Sequence, residues 1–254
     1  MSFYDHARAE VLRHGAINNP YLKRFRAGDL TGREFLEFAV EFYCFARFFP
    51  RILAAQLVNT EDEAVADELT KVLYSELGDG QVKNRHELLY RSFLRSVGID
   101  IHEAMATPMR PSTRAYIEGM ERLYSSTNHP MALGASFGLE NMAITMWDQL
   151  IPGLTCLRAS RYPSMDLTYF TFHRELEQDH EEAMKKAVQA IDHGAGLTRL
   201  SPSQLQDFRQ GLVAVLNYLQ GFWMGLDQQS EDIVRPVPAT YAEPRPAHRG
   251  SPGA

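Results

Sequence analysis

"TGREFLEFAVEFYCFARFFPRILAAQL", residues 31–57, places apolar side chains around most of its circumference when wound at about 3.6 residues per turn. Thr31 and Glu34 stand at capping-box spacing, so the segment starts with its first backbone N–H groups satisfied. A helix that is apolar on nearly every side must be wrapped by others. The segment therefore predicts the central helix of an all-α domain. Pro50 lies inside it and predicts a kink or break, because proline lacks the N–H donor and clashes with the preceding turn.

Outward from this segment the helical period dominates, and no alternating strand pattern bounded by turn residues is found. A first helix is expected near Phe3 to Ile17. Another runs from about Glu61 to Glu76, is interrupted by "GDG" at 78–80, and resumes through "VKNRHELLYRSFLRSVG" to close at Gly98. Ser112 to Tyr124 is the next, and Pro130 to Leu150 another, ended by Pro152 and Gly153. Two long helices follow, near Asp166 to His193 and Ser201 to Leu226, the second with Ser201 as N-cap and Pro202 at the first helical position. About seven helices result, in a single domain over residues 1–233. The Pro-, Gly- and Ala-rich residues 234–254 bury too little apolar surface to fold alone and are expected to be a disordered tail.

Composition narrows the function. The chain has 254 residues with 44% hydrophobic and 23% charged residues, which fits a globular protein. Its formal charge of -6 comes without a basic cluster, so no nucleic-acid or anionic-lipid footprint is present, and small-molecule chemistry is favoured. The N-terminal residues lack the apolar run of a secretory signal and no stretch of about 18 apolar residues appears, so a cytoplasmic location and no membrane partner are expected. Cys44 and Cys156 are the only thiols, and both read as buried, reduced filler.

"TFHRELEQDH", residues 171–180, holds the candidate chemistry. Positions i, i+4 and i+7 share a narrow arc of a helix, so His173, Glu177 and His180 form one stripe, open from this segment alone to a solvated or a metal-binding reading. The backbones of His173 and His180 lie about 10 Å apart at 1.5 Å rise per residue, which suits two ions about 3.5–4 Å apart better than one. Glu76 in "LYSELGDG" and His86 in "KNRHELL" are available partners, with a capping residue and a surface histidine as the plainer reading. Glu140 sits in the apolar "LGASFGLENMAITM", where a buried carboxylate needs a cation, a metal or several donors. Nitrogen and oxygen donors without thiolate match non-haem iron or manganese better than structural zinc. Only one Glu-x-x-His pair, Glu177 to His180, is present, against the two of a ferritin-like site.

As a set these residues resemble the haem-oxygenase-like di-iron oxidases and oxygenases, over about residues 30 to 230. The family's first Glu and His fall on Glu76 and His86, with nine residues between them; its mid-chain Glu falls on Glu140, and its closing set on His173, Glu177 and His180. Most members carry Asp where this chain has Glu177, one methylene longer. Glu41 is the candidate for the additional carboxylate that some members offer. The resemblance implies a haem-oxygenase-like bundle holding two Fe(II) ions, with O2 as co-substrate and an external reductant. The six residues are then the ligands, and Tyr43, Phe137 and Trp147 wall the pocket. Arg174 or Arg85 would hold a substrate carboxylate. It further implies oxidation of a small amine-containing metabolite such as an amino acid, in natural-product biosynthesis. The wide gap between Glu76 and His86 looks like the N-oxygenating branch; oxidative C–C cleavage or decarboxylation of an amino or fatty acid is the alternative. A homodimer and an electron-donor partner are compatible with it. Other readings are a metal-free thiaminase-like or a haem-binding protein of the same fold, and a helical partner protein with Phe222, Trp223 and Met224 as its interface stripe.

Overall fold

Thr31 accepts a hydrogen bond from the Glu34 N–H at 3.2 Å while the Glu34 carboxylate accepts from the Thr31 N–H at 2.8 Å, and this reciprocal cap starts the central helix α3, Gly32–Ala46. Eleven of its 15 residues are buried. The helix breaks at residues 47–48 and a new one, α4 (Phe49–Val58), begins with Pro50 in its first turn, where the missing N–H costs nothing.

The computed structural model describes residues 2–192 and 200–228, and all regular structure among them is helical. Before α3 lie α1 (Phe3–Arg13) and α2 (Pro20–Ala27). After α4 come α5 (Glu63–Glu76), a 3-10 turn over Val82–Asn84, α6 (His86–Ser96), α7 (Ile101–Ala106), α8 (Pro111–Tyr124), α9 (His129–Ser160), α10 (Thr168–Asp192) and α11 (Pro202–Asp227). The eleven α-helices among the described residues replace the seven expected from the sequence. Two of the additional ones are short. α2 is signalled by Asn19, whose side chain caps the Leu22 N–H, by Pro20 at the first position and by Gly28 at φ +76 beyond its end. α7 is a six-residue helix capped by Asp100, too short to show a period. The expected tail, 234–254, lies outside the described residues.

α9 forms the spine, in contact with α1, α2, α8, α10 and α11. It meets α11 at backbone distance. A Cβ on Gly134 would lie 1.9 Å from the Phe208 carbonyl oxygen, and one on Gly211 would lie 1.9 Å from that of Met131. Pro152 does not end α9, contrary to expectation. It is exposed, as is Asp148, the residue whose carbonyl its missing N–H leaves without a helical donor, and the adjoining Gly153 is held against α2, where a Cβ would stand 1.9 Å from the Phe25 carbonyl oxygen. Tight packing overrides the local stop signal.

Around the spine the core is aromatic. Trp223 of α11 stacks at 5.8 Å on Tyr21 and at 6.4 Å on Phe38. Such fully buried rings contribute about 1.5–3 kcal/mol each in area terms. Phe222 and Trp223 are therefore core, and only Met224 of the suggested interface stripe is exposed. Cys44 is buried but Cys156 is exposed, correcting the expectation for the second thiol. Among the described residues no helix is long and apolar enough to cross a membrane.

Candidate metal centre

Glu76 is the last residue of α5 and His86 the first of α6, so the loop between them decides whether they meet. Gly78, Asp79 and Gly80 take φ values of +90°, +51° and +77°, a left-handed run that reverses the chain. A side chain on Gly78 would place Cβ 2.4 Å from the Gln81 carbonyl oxygen, so the turn has room only for glycine. The reversal leaves His86 Nδ1 2.8 Å from Glu76 Oε2. His173, from α10, completes a group: its Nε2 lies 3.8 Å from Glu76 Oε1, and its ring centroid is 4.1 Å from that of His86.

The rest of the α10 stripe serves a second group. His180 Nδ1 stands 3.3 Å from Glu140 Oε2 of α9 and 3.6 Å from Glu177 Oε2. Thus all six residues fall into two triads, Glu76/His86/His173 and Glu140/Glu177/His180, and within each the ligating atoms lie within 4.8 Å of one another. Every one of the six is buried, none being more than 5% exposed.

The triads fit metal ions by their unsatisfied atoms. His86 Nε2, Glu140 Oε1 and Glu177 Oε2 are buried and make no hydrogen bond. Buried polar atoms are almost always paired, so three orphans on the ligand side chains ask for a partner of another kind. Three carboxylates buried together also call for positive charge beside them, which a pair of divalent cations would supply. Surrounding residues fix the ligands. The Tyr169 carbonyl lies 2.8 Å from His173 Nδ1, which leaves Nε2 as the free lone pair facing Glu76. Trp147 donates its indole N–H to Glu177 Oε1 at 2.9 Å.

Electrostatics divides the triads. Burial pushes the His173 imidazole down to about 4, with His86 beside it adding to the effect, so it is the neutral, ligating form. For Glu76 burial alone would raise the pKa, but His86 and His173 hold it down at about 2. Burial dominates at Glu140 and pushes it up to about 7, despite the hydrogen bond from His180. At His180 burial opposes charge, yet Glu140 and Glu177 outweigh it and hold the imidazole well above its ordinary value.

A cavity of about 40 Å³ adjoins both triads, with Glu76, Glu140, His173 and Glu177 in its wall. Trp147 lines it. Tyr43 does not: its hydroxyl donates to Glu87 at 2.7 Å. Phe137 packs on Tyr4 and Phe208 instead. Arg174 pairs with Asp148 at 2.7 Å, and Arg85 is exposed. Glu41 belongs to neither triad; its carboxylate accepts from the Arg110 N–H at 3.1 and 3.2 Å, at the start of α8. The sequence reading missed the cavity's other walls, among them Phe42, Phe49, Tyr116, Met142 and Met146. Phe42 and Phe49 fall in the segment where nearly every position is apolar, so periodicity could not single them out.

A helical bundle with two adjoining, buried histidine–carboxylate triads defines a class of metal-binding helical protein. The chain belongs to the family of iron-containing redox enzymes, whose pattern matches residues 36–218. It is 26% identical over 225 residues to a 4-chloro-allylglycine synthase from Streptantibioticus cattleyicolor, covering 88% of this chain and 82% of that protein. It is 21% identical over 192 residues to a 4-aminobenzoate synthase from Chlamydia muridarum, covering 75% and 79%. Its fold is haem-oxygenase-like: a domain of that fold from Shewanella denitrificans superposes with a TM-score of 0.62 at 16% identity, over 88% of this chain and 87% of that one. A TenA homolog from Pseudomonas syringae pv. tomato superposes with a TM-score of 0.69 at 12% identity, over 89% of each chain, a likeness of fold alone.

Proposed function

We propose that this protein is a di-iron oxidase or oxygenase that uses O2 to oxidise a small amine-containing metabolite, an amino acid or a close derivative. The observation that carries the reading is the pairing of two buried triads in one family of iron-containing redox enzymes. Glu76, His86 and His173 would hold one iron and Glu140, Glu177 and His180 the other. Two ferrous ions bound there supply the electrons that activate O2.

The protein's own residues do the rest. Phe42, Phe49, Met142 and Met146 keep the cavity apolar, so water is excluded from the reacting group and charge interactions inside are strong. Trp147 holds Glu177 through its N–H, and the Tyr169 carbonyl holds the His173 ring in one tautomer.

Two outcomes for the substrate stand side by side. The nine residues between Glu76 and His86 support N-oxygenation, as in the N-oxygenating branch that the sequence resembles. The relative named 4-chloro-allylglycine synthase supports the second reading, oxidative cleavage that leaves an unsaturated amino acid. Anaerobic loading with iron(II), exposure to O2 with a panel of amino acids, and mass spectrometry separate them. Gain of oxygen on nitrogen marks the first, loss of a carbon fragment the second, and no consumption of any amine by iron-loaded protein overturns the proposal.

A further inference from the structure

A second opening adjoins the centre through His180. It is a groove of about 300 Å³ between α5 and α10. One wall is the α5 face Glu68, Lys71, Val72 and Ser75, extended by Asp79; the other is the α10 face with Asp179, His180, Glu182 and Lys186. Most of this lining is charged, whereas the cavity described above is apolar apart from the ligands Glu76, Glu140, His173 and Glu177 themselves, so it offers a hydrated cation no polar group short of the centre to replace its water.

Two buried polar groups line the groove without partners. Ser75 Oγ, in a residue 8% exposed, makes no hydrogen bond, and neither does Nε2 of His180, 4% exposed. His180 meanwhile turns Nδ1 toward Glu140 and Glu177, so its ring stands between the groove and the second triad. The acids differ in their availability. Glu68 is engaged by Lys71 at 2.6 Å and Glu182 by Lys185 at 3.0 Å, but Asp79 and Asp179 form no ion pair with any described residue. Asp79 is also the one non-glycine among the three left-handed residues of the turn that follows Glu76, a conformation that Asp and Asn adopt more readily than other side chains.

We infer that this groove is the route by which a hydrated ferrous ion reaches the two triads, with Asp79 and Asp179 as transit ligands and Ser75 and His180 as the inner step. The inference rests on the di-iron reading above. Oxygen donors on a negatively biased groove collect a divalent cation by electrostatic focusing and let it go inward because each holds it singly. Lys186 opposes this and sets the sign of a second test.

The test is the rate of metal uptake, not turnover. Metal-free full-length protein is mixed anaerobically with iron(II) at low ionic strength, quenched at intervals with a ferrous chelator, and its retained iron counted. The double variant D79N/D179N is expected to fill about fivefold or more slowly and to reach the same final two irons per chain, and K186Q to fill faster. Asn is well tolerated at a left-handed position, so D79N keeps the turn. Raising salt should narrow the differences, and D207N, an acid lining a different groove, should fill at the wild-type rate. The double variant filling as fast as wild type, or ending short of two irons, overturns the inference and leaves the di-iron reading intact. Wild-type protein that never retains two irons removes both.

Discussion

Trp147 and Glu177 are joined across α9 and α10 by a single buried hydrogen bond of 2.9 Å, from the indole N–H to the carboxylate oxygen Oε1. The other oxygen, Oε2, is the one that faces His180 at 3.6 Å. The tryptophan thus fixes which lone pairs Glu177 offers to the second triad. In W147F the ring volume is largely kept and the donor lost. Iron at the Glu140/Glu177/His180 triad is expected to bind about 10–100-fold more weakly while the other triad is unaffected. Equilibrium titration of the two equivalents checks this, and equal weakening at both triads would contradict it.

The two triads should respond differently to pH. Metal binding requires deprotonated ligands. Glu140, raised to about 7 by burial, and His180, held above its ordinary value by Glu140 and Glu177, must give up protons. Glu76, at about 2, and His173, at about 4, are already in the ligating form. Lowering the pH from 8 to about 6 is therefore expected to release the iron of the second triad first, with proton release on loading near neutral pH. Simultaneous loss of both irons would contradict the division.

Gly78 makes the chain reversal that joins Glu76 to His86. G78A places Cβ against the Gln81 carbonyl and forces a left-handed φ on alanine. A loss of about 1–3 kcal/mol in unfolding free energy is expected, together with weakened iron binding at the first triad. Denaturant unfolding and metal titration measure the two effects.

Glu41 provides a contrast. Its carboxylate accepts the Arg110 N–H at the start of α8 and belongs to neither triad. E41Q is expected to lower stability by about 1–2 kcal/mol and to leave iron stoichiometry unchanged. Loss of one iron would make it a ligand.

Much of this was legible in the chain, for identifiable reasons. The Thr31–Glu34 cap, the break just ahead of Pro50 and the Ser201–Pro202 start are local chemistry, each found at or beside the residues that signal it. The 173/177/180 stripe was readable from helical period, although periodicity does not show that it divides between two triads; that depends on which side α5 and α9 approach. Pro152 misled because the tight fit of Gly153 on Phe25 is tertiary and has no local mark. Helices α2 and α7 are too short for periodicity, and only their caps announce them. Glu41 and Glu140 look alike in sequence, two carboxylates in apolar helices. Only the neighbour across the bundle, a backbone N–H for one and His180 for the other, tells them apart.

The most direct measurement is anomalous diffraction at the iron edge from crystals of anaerobically loaded protein. Two peaks are expected within the bundle, one bounded by Glu76, His86 and His173 and the other by Glu140, Glu177 and His180. No peak among these six residues, or iron held only at the surface, would contradict the account.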